Sequence, residues 1–145
     1  MKKIFLTVVT FLMISPILSY ADQHQDKSII FYLDMNVAPE KAENLDKFVA
    51  YLSETVERTE PGTIYYKYFI SEDRTKVSLL EVYKDDPAAL FHVNSFLQAA
   101  HRDEFLETFE IINFQVLGSS SEDLKKAMND FTDDHRSIID GYKRK

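Results

Sequence analysis

Residues 29–37, IIFYLDMNV, alternate without a break between an apolar set (Ile29, Phe31, Leu33, Met35, Val37) and a mixed one (Ile30, Tyr32, Asp34, Asn36). Neighbouring side chains of a strand point to opposite faces, so this period of two predicts a strand with one strongly buried side. The period then changes. Pro39 suits a first helical turn, and Ala42, Leu45, Phe48, Val49, Leu52 and Val56 recur at helical spacing, which predicts one amphipathic helix over 39–58 with a charged outer face. Glu60-Pro61-Gly62 ends it and starts the aromatic strand TIYYKYF, 63–69. After a polar SEDRTK turn the chain returns as VSLLEVYK, 77–84, completing a hairpin.

Asp85-Asp86-Pro87 offers a cap followed by proline at the first helical position, so a helix is expected from Pro87 to about Ala100. Residues 101–109 continue or kink it, because Phe105, Leu106 and Phe109 do not extend its apolar stripe cleanly. IINFQVLG, 111–118, reads as a fourth strand. Ser121, Glu122 and Asp123 open a short helix carrying Leu124, Met128 and Phe131. The end, 132–145, is polar apart from Ile138, Ile139 and Tyr142, and reads as a partly ordered tail that docks. The chain shows no internal repeat and no low-complexity tract.

The order β-α-β-β-α-β describes the α+β ferredoxin-like plan, a four-stranded antiparallel sheet with both helices on one side. Its other side would carry Ile30 and Tyr32, Tyr65 and Phe69, and Leu80 and Val82. Contiguous apolar surface of that kind marks an interface, so two copies are expected to pack sheet to sheet as a twofold homodimer. In the aromatic strand, Ile64, Tyr66, Tyr68 and Ile70 would then face the helices, with Tyr65 and Phe69 facing the partner.

Lys2 and Lys3 precede an apolar run from Ile4 to Leu18 and a small-residue exit at Ser19-Tyr20-Ala21. Residues 1–21 therefore read as a secretory signal peptide cleaved after Ala21, the run being shorter than the roughly 20 residues of a spanning helix. The expected product is periplasmic or secreted and has no stable membrane anchor. The domain proper is placed at 28–118, with a C-terminal helix and tail at 119–145. A formal net charge of -7 argues against nucleic acid as a partner. With no cysteine, thiolate metal sites and cysteine nucleophiles are excluded. His24, His92, His101 and His135 lack the paired spacing of zinc sites, and the acidic clusters read as solvated turns and caps. No metal is expected, and neither a phosphate-binding glycine loop nor a nucleophile elbow is present.

The strand EPGTIYYKYFISED, the return strand with EVY at 81–83, the helix DDPAALFHVN and the ending VLGSSSEDLKKAM resemble the antibiotic biosynthesis monooxygenase family. The resemblance covers roughly residues 28–130. It implies a dimeric α/β barrel with a pocket in each subunit between the sheet and its helices. It also implies kinship with cofactor-independent oxygenases of quinols or polycyclic aromatics, with haem-degrading enzymes and with members of unknown substrate. In the cofactor-free members the deprotonated, electron-rich substrate reacts with oxygen itself, so the protein has only to bind a ring, remove a proton and exclude water. No cofactor is then required.

His92 matches a histidine that many relatives carry in their second long helix, and a neutral imidazole there could take a phenolic proton. Its bland alternative is a histidine at the edge of a buried stripe, since His92 and Asn94 fall just outside opposite ends of the helix's apolar arc. Asn94 is a candidate pocket residue on the same helix. Glu81 shares a strand face with Val77, Leu79 and Tyr83, where desolvation would raise its pKa and suit it to act as a base; a salt bridge is the alternative. Tyr83 stands where many relatives place a tryptophan, and Tyr66, Tyr68 and Tyr83 could orient an aromatic ligand or simply pack. The haem-degrading pattern of asparagine, tryptophan and helical histidine is incomplete, because the chain has no tryptophan. The resemblance implies one of two functions: a cofactor-independent monooxygenase of a small aromatic or quinol, with His92 and Glu81 catalytic, or a non-catalytic small-molecule-binding or interaction protein on the same fold.

Overall fold

The computed structural model describes residues 26–142, and the expected signal peptide lies outside them. Strand β1 (Ile29–Val37) forms the centre of the sheet, where its alternation becomes alternating burial along its whole length. It pairs antiparallel with β3 (Lys76–Tyr83) on one side and β4 (Phe109–Leu117) on the other. Strand β2 (Thr63–Ile70) closes one edge in antiparallel register with β3. The helices α1 (Leu45–Thr59), α2 (Asp86–Gln98), α3 (Arg102–Thr108) and α4 (Glu122–Met128) complete the fold. Phe48 and Leu52 from α1, Val93 from α2, Phe105 from α3, and Leu124 and Met128 from α4 join Phe31, Leu33, Met35 and Leu79 of the sheet in a single core. The α+β ferredoxin-like plan is therefore present.

The sheet differs from the expected four antiparallel strands. A short fifth strand, β5 (His135–Arg136), runs parallel to β4, giving the order β2-β3-β1-β4-β5. It arises because the Val116 and Gly118 N–H groups donate to the Asp134 and Arg136 carbonyls at 2.9 Å, while the Thr132 hydroxyl donates to the Phe114 carbonyl at 2.6 Å. Backbone pairing of this kind leaves no hydrophobic signature in two polar residues.

The helix expected over 39–58 starts late. Pro39–Asn44 is a 3₁₀ turn with no buried residue, its apolar side chains being only the small Pro39 and Ala42. Residues 101–109 divide instead of continuing α2: Ala99 is extended (ψ 140°), α3 restarts at Arg102, and β4 begins at Phe109, two residues earlier than expected. Asp85 caps α2 as expected, accepting the Ala88 N–H at 2.9 Å. Ser121 caps α4, and its hydroxyl donates to Asp86 Oδ1 at 2.7 Å, tying the start of α4 to the start of α2.

Strand β2 does not keep strict alternation. Thr63 pairs with Tyr83 but Tyr65 with Val82, so Ile64 is the extra residue of a bulge and is 52% exposed. Beyond it Tyr66 and Tyr68 pack on the core as expected, whereas Ile70 is exposed near the strand end. On the opposite sheet face Ile30, Tyr32, Tyr65, Leu80 and Val82 are half-buried and Phe69 is exposed. Asp34 lies among them and accepts from the Tyr32 hydroxyl at 3.0 Å and the Ser78 hydroxyl at 2.6 Å.

The turn from α1 into β2 sets where α2 lies. A Cβ built on Gly62 would sit 2.5 Å from the Ala88 Cβ, closer than two Cβ atoms fixed to their backbones tolerate. Gly62→Ala is therefore expected to destabilise the fold by about 1–3 kcal/mol, an overpacking cost read from the urea midpoint. Adding Ala88→Gly should return part of the loss; a double variant no better than the single one would mean that the contact is not the cause.

Candidate active site

Inward-facing positions of β3 bring Val77, Leu79, Glu81 and Tyr83 against the core, all buried. Glu81 is paired across the sheet with Phe31 on one side and Tyr66 on the other. From α2, His92 reaches down to the same place, and it too is buried. Just after α1, Glu60 turns in to meet it from the other side. Its Oε2 lies 2.8 Å from His92 Nδ1, while Glu81 Oε2 lies 3.7 Å from His92 Nε2. The Thr63 hydroxyl donates to Glu60 Oε2 at 3.1 Å, and the Tyr83 hydroxyl donates to Glu81 Oε2 through a short hydrogen bond. One imidazole thus stands between two buried carboxylates, each held by a hydroxyl.

Burial opposes charge on His92, but the charge of Glu81 and the hydrogen bond and charge of Glu60 outweigh it, so its pKa lies above the usual 6.5. Burial pushes the Glu81 carboxyl above its ordinary 4.5; the His92 charge and the Tyr83 hydrogen bond offset this only in part, and Glu60 adds to it. Desolvation also raises Tyr66, Tyr68 and Tyr83, which remain phenols and hydrogen-bond donors at neutral pH.

A cavity of about 40 Å³ opens beside this cluster. Phe31, Phe96, Phe105, Phe114 and Phe131 contribute to its walls, and Glu81 and His92 are the charged groups among its lining residues. At about 10–15 Å³ per water it has room for roughly three waters, well short of a polycyclic guest. A wider surface groove of about 530 Å³, lined in part by Leu97, Arg102 and Leu106, shares Ile111 and Phe131 with it. Those two side chains thus border both spaces.

The structure brings His92 and Glu81 together at the cavity, and Tyr83 stands directly behind Glu81. Tyr66 lies beside His92, with ring centroids 6.2 Å apart, and its hydroxyl is 2.9 Å from that of Tyr68. These phenols satisfy each other and do not line the cavity. Asn94 is exposed on the outer face of α2, where its main-chain carbonyl accepts from Gln98, so it is not brought to the site. His101 packs against Tyr51 and Phe96, with ring centroids 5.6 and 6.5 Å away. Glu60 was not foreseen: at sequence level it is only the residue before Pro61-Gly62, and nothing in its spacing announces a partner 32 positions away. Among the described residues no group of three potential ligands could hold a metal ion.

A sequence model described as antibiotic biosynthesis monooxygenase matches residues 29–110. No curated protein matches the sequence. Among solved structures, MupZ from Pseudomonas fluorescens superposes with a TM-score of 0.72 at 18% identity, over 82% of this chain and 91% of that one. A candidate antibiotic biosynthesis monooxygenase from Nitrosomonas europaea gives 0.51 at 21% identity, over 66% and 92%. Another from Bacteroides thetaiotaomicron gives 0.51 at 17% identity, over 68% and 92%. At these identities the likeness is one of fold.

Proposed function

Because the chain belongs to the antibiotic biosynthesis monooxygenase family, we propose that it is a cofactor-independent monooxygenase of a small aromatic hydroxyl compound such as a quinol. The observation that carries this reading is the apolar cavity whose charged lining groups are a carboxylate and an imidazole in mutual contact. Glu81 accepts the phenolic proton. His92, held charged by its two carboxylate neighbours, presents an N–H to the anion that forms. The sequence reading gave the acceptor role to His92; two flanking carboxylates favour its charged form and support moving that role to Glu81. The electron-rich anion then reacts with oxygen while aromatic walls keep water out. A ring is admitted by displacement of Phe131 and Ile111, which border both cavity and groove.

We further propose export, on the signal-like residues 1–21, and a homodimer through the sheet face that carries Ile30, Tyr65, Phe69, Leu80 and Val82. The test of the reaction is oxygen dependence. Oxidation of simple quinols is expected to consume oxygen and to stop under anaerobic conditions, so equal turnover with and without oxygen would exclude an oxygenase. The cavity's small volume favours a second reading, a binder without turnover. A thermal-shift screen with quinones, flavins and haem separates the two, because a binder is stabilised by a ligand that it never converts.

A further inference from the structure

His92 is the pivot of the cluster, and a buried imidazole has two ways to sit in its slot. Rotating the ring by half a turn would place a carbon where Nδ1 now meets Glu60. That would leave a carboxylate which is only 6% exposed without its partner, and an unpaired buried charge is strongly unfavourable. Glu60 itself is fixed. Its N–H donates to the Val56 carbonyl at 2.9 Å, its own carbonyl accepts from the Thr63 N–H at 3.0 Å, and its carboxylate accepts from the Thr63 hydroxyl. It does not line the cavity beside Glu81; it borders a separate surface cleft with Thr63, Lys84 and Phe91. A ligand in the cavity therefore meets His92 and Glu81 but not Glu60.

We propose that Glu60 is a positioning residue for His92: by accepting the Nδ1 proton in a hydrogen bond, it fixes the ring so that Nε2 faces Glu81 and the cavity. A carboxylate only accepts, so the nitrogen it meets must carry the proton, and the neutral ring is thereby set as the Nδ1–H tautomer. Of the other titratable groups described around the ring, Glu81 raises its pKa and none is placed against Nδ1. Glu81 and Tyr83 approach from β3, Tyr66 from β2, and His101 from beyond α2. Burial, with the charge of His92, lowers the pKa of His101, opposite in direction to that of His92. The chemical meaning of this orientation rests on Glu81 and His92 acting as an acid–base pair, but the orientation itself can be tested without turnover.

The experiment follows the ring nitrogens of the full-length protein labelled with ¹⁵N-histidine from pH 5 to pH 9, with His92→Gln used to assign the His92 signals. In the wild type the neutral ring is expected as Nδ1–H, with a titration midpoint above that of a free imidazole. Glu60→Gln keeps an acceptor oxygen but removes the charge, so the tautomer is expected to persist while the midpoint falls by about one pH unit, roughly tenfold in proton affinity. Glu60→Ala removes both, and the Nδ1–H preference is expected to disappear. A wild-type midpoint in Glu60→Gln, or a wild-type tautomer in Glu60→Ala, overturns the proposal. If Glu60→Ala does not fold, the midpoint in Glu60→Gln decides alone. Failure of the wild type to oxidise any quinol would count against the oxygenase reading and leave these resonances untouched.

Discussion

Glu81→Gln is expected to lower quinol turnover by about 10²- to 10⁴-fold, the usual loss when a positioned general base is removed. Glutamine has nearly the same shape, and its carbonyl can still accept the Tyr83 hydroxyl, so the fold is expected to lose less than about 1.5 kcal/mol. The amide has no charge to hold the His92 proton and no basicity to take one from a phenol. The loss should therefore fall on kcat, with KM changing little. A variant that keeps more than a tenth of the wild-type rate would remove Glu81 from the chemistry.

The pH profile gives the same prediction a second readout. The proposed reaction needs Glu81 ionised and His92 protonated. It should rise as pH climbs through the Glu81 value, displaced above 4.5, and fall as pH climbs through the His92 value, displaced above 6.5. The two groups are in contact, so the limbs of this bell belong to the pair and not to either residue alone. In Glu81→Gln the acid limb should vanish from the residual activity. The alkaline limb should move to lower pH, because the charge that chiefly raises His92 is gone.

Much of this architecture could be read from the chain because local chemistry and tertiary packing agree along it. The alternation in 29–37 survives as alternating burial, and the Asp85 cap and the helix it opens lie where Asp85-Asp86-Pro87 put them. What could not be read depends on partners distant in sequence. Ile64 is exposed by a bulge that only the register with β3 creates. His92 fell just outside the apolar arc when α2 was considered alone, yet it is buried, because Glu60 and β3 supply the polar contacts that let an imidazole sit there. Asn94, at the opposite end of that arc, has no such partner and stays in solvent. Strand β5 is held by backbone groups, and side-chain pattern says nothing about those. The Glu81–His92 pair is thus half visible in the sequence, as two residues with separate rationales. Their contact, and the second carboxylate behind the imidazole, are properties of the fold.

Phe31→Ala is expected to destabilise the protein by about 3–5 kcal/mol, since its ring is 1% exposed and its loss leaves a void as well as lost burial. Phe31 is packed edge to face against Tyr83 and Phe114, with ring centroids 4.9 and 5.4 Å away, and it also lines the cavity. Truncation would merge the space of one benzene ring with the existing 40 Å³. An apolar void of about 150 Å³ binds benzene, so the variant should take a ring without displacing Phe131 or Ile111 and bind it more tightly than the wild type does. Benzene at a hundred times its dissociation constant should return about 2.7 kcal/mol of stability to Phe31→Ala. The same benzene concentration should raise the wild-type melting temperature by less. Phenol should stabilise the variant more than benzene does, because Glu81 and His92 remain on the wall to meet its hydroxyl. If both compounds act equally, the charged pair does not face the cavity in solution; if neither acts, the site has collapsed around the missing ring. Stronger stabilisation by phenol would tie the apolar walls and the acid–base pair to a single pocket, which is the arrangement an aromatic hydroxyl substrate requires.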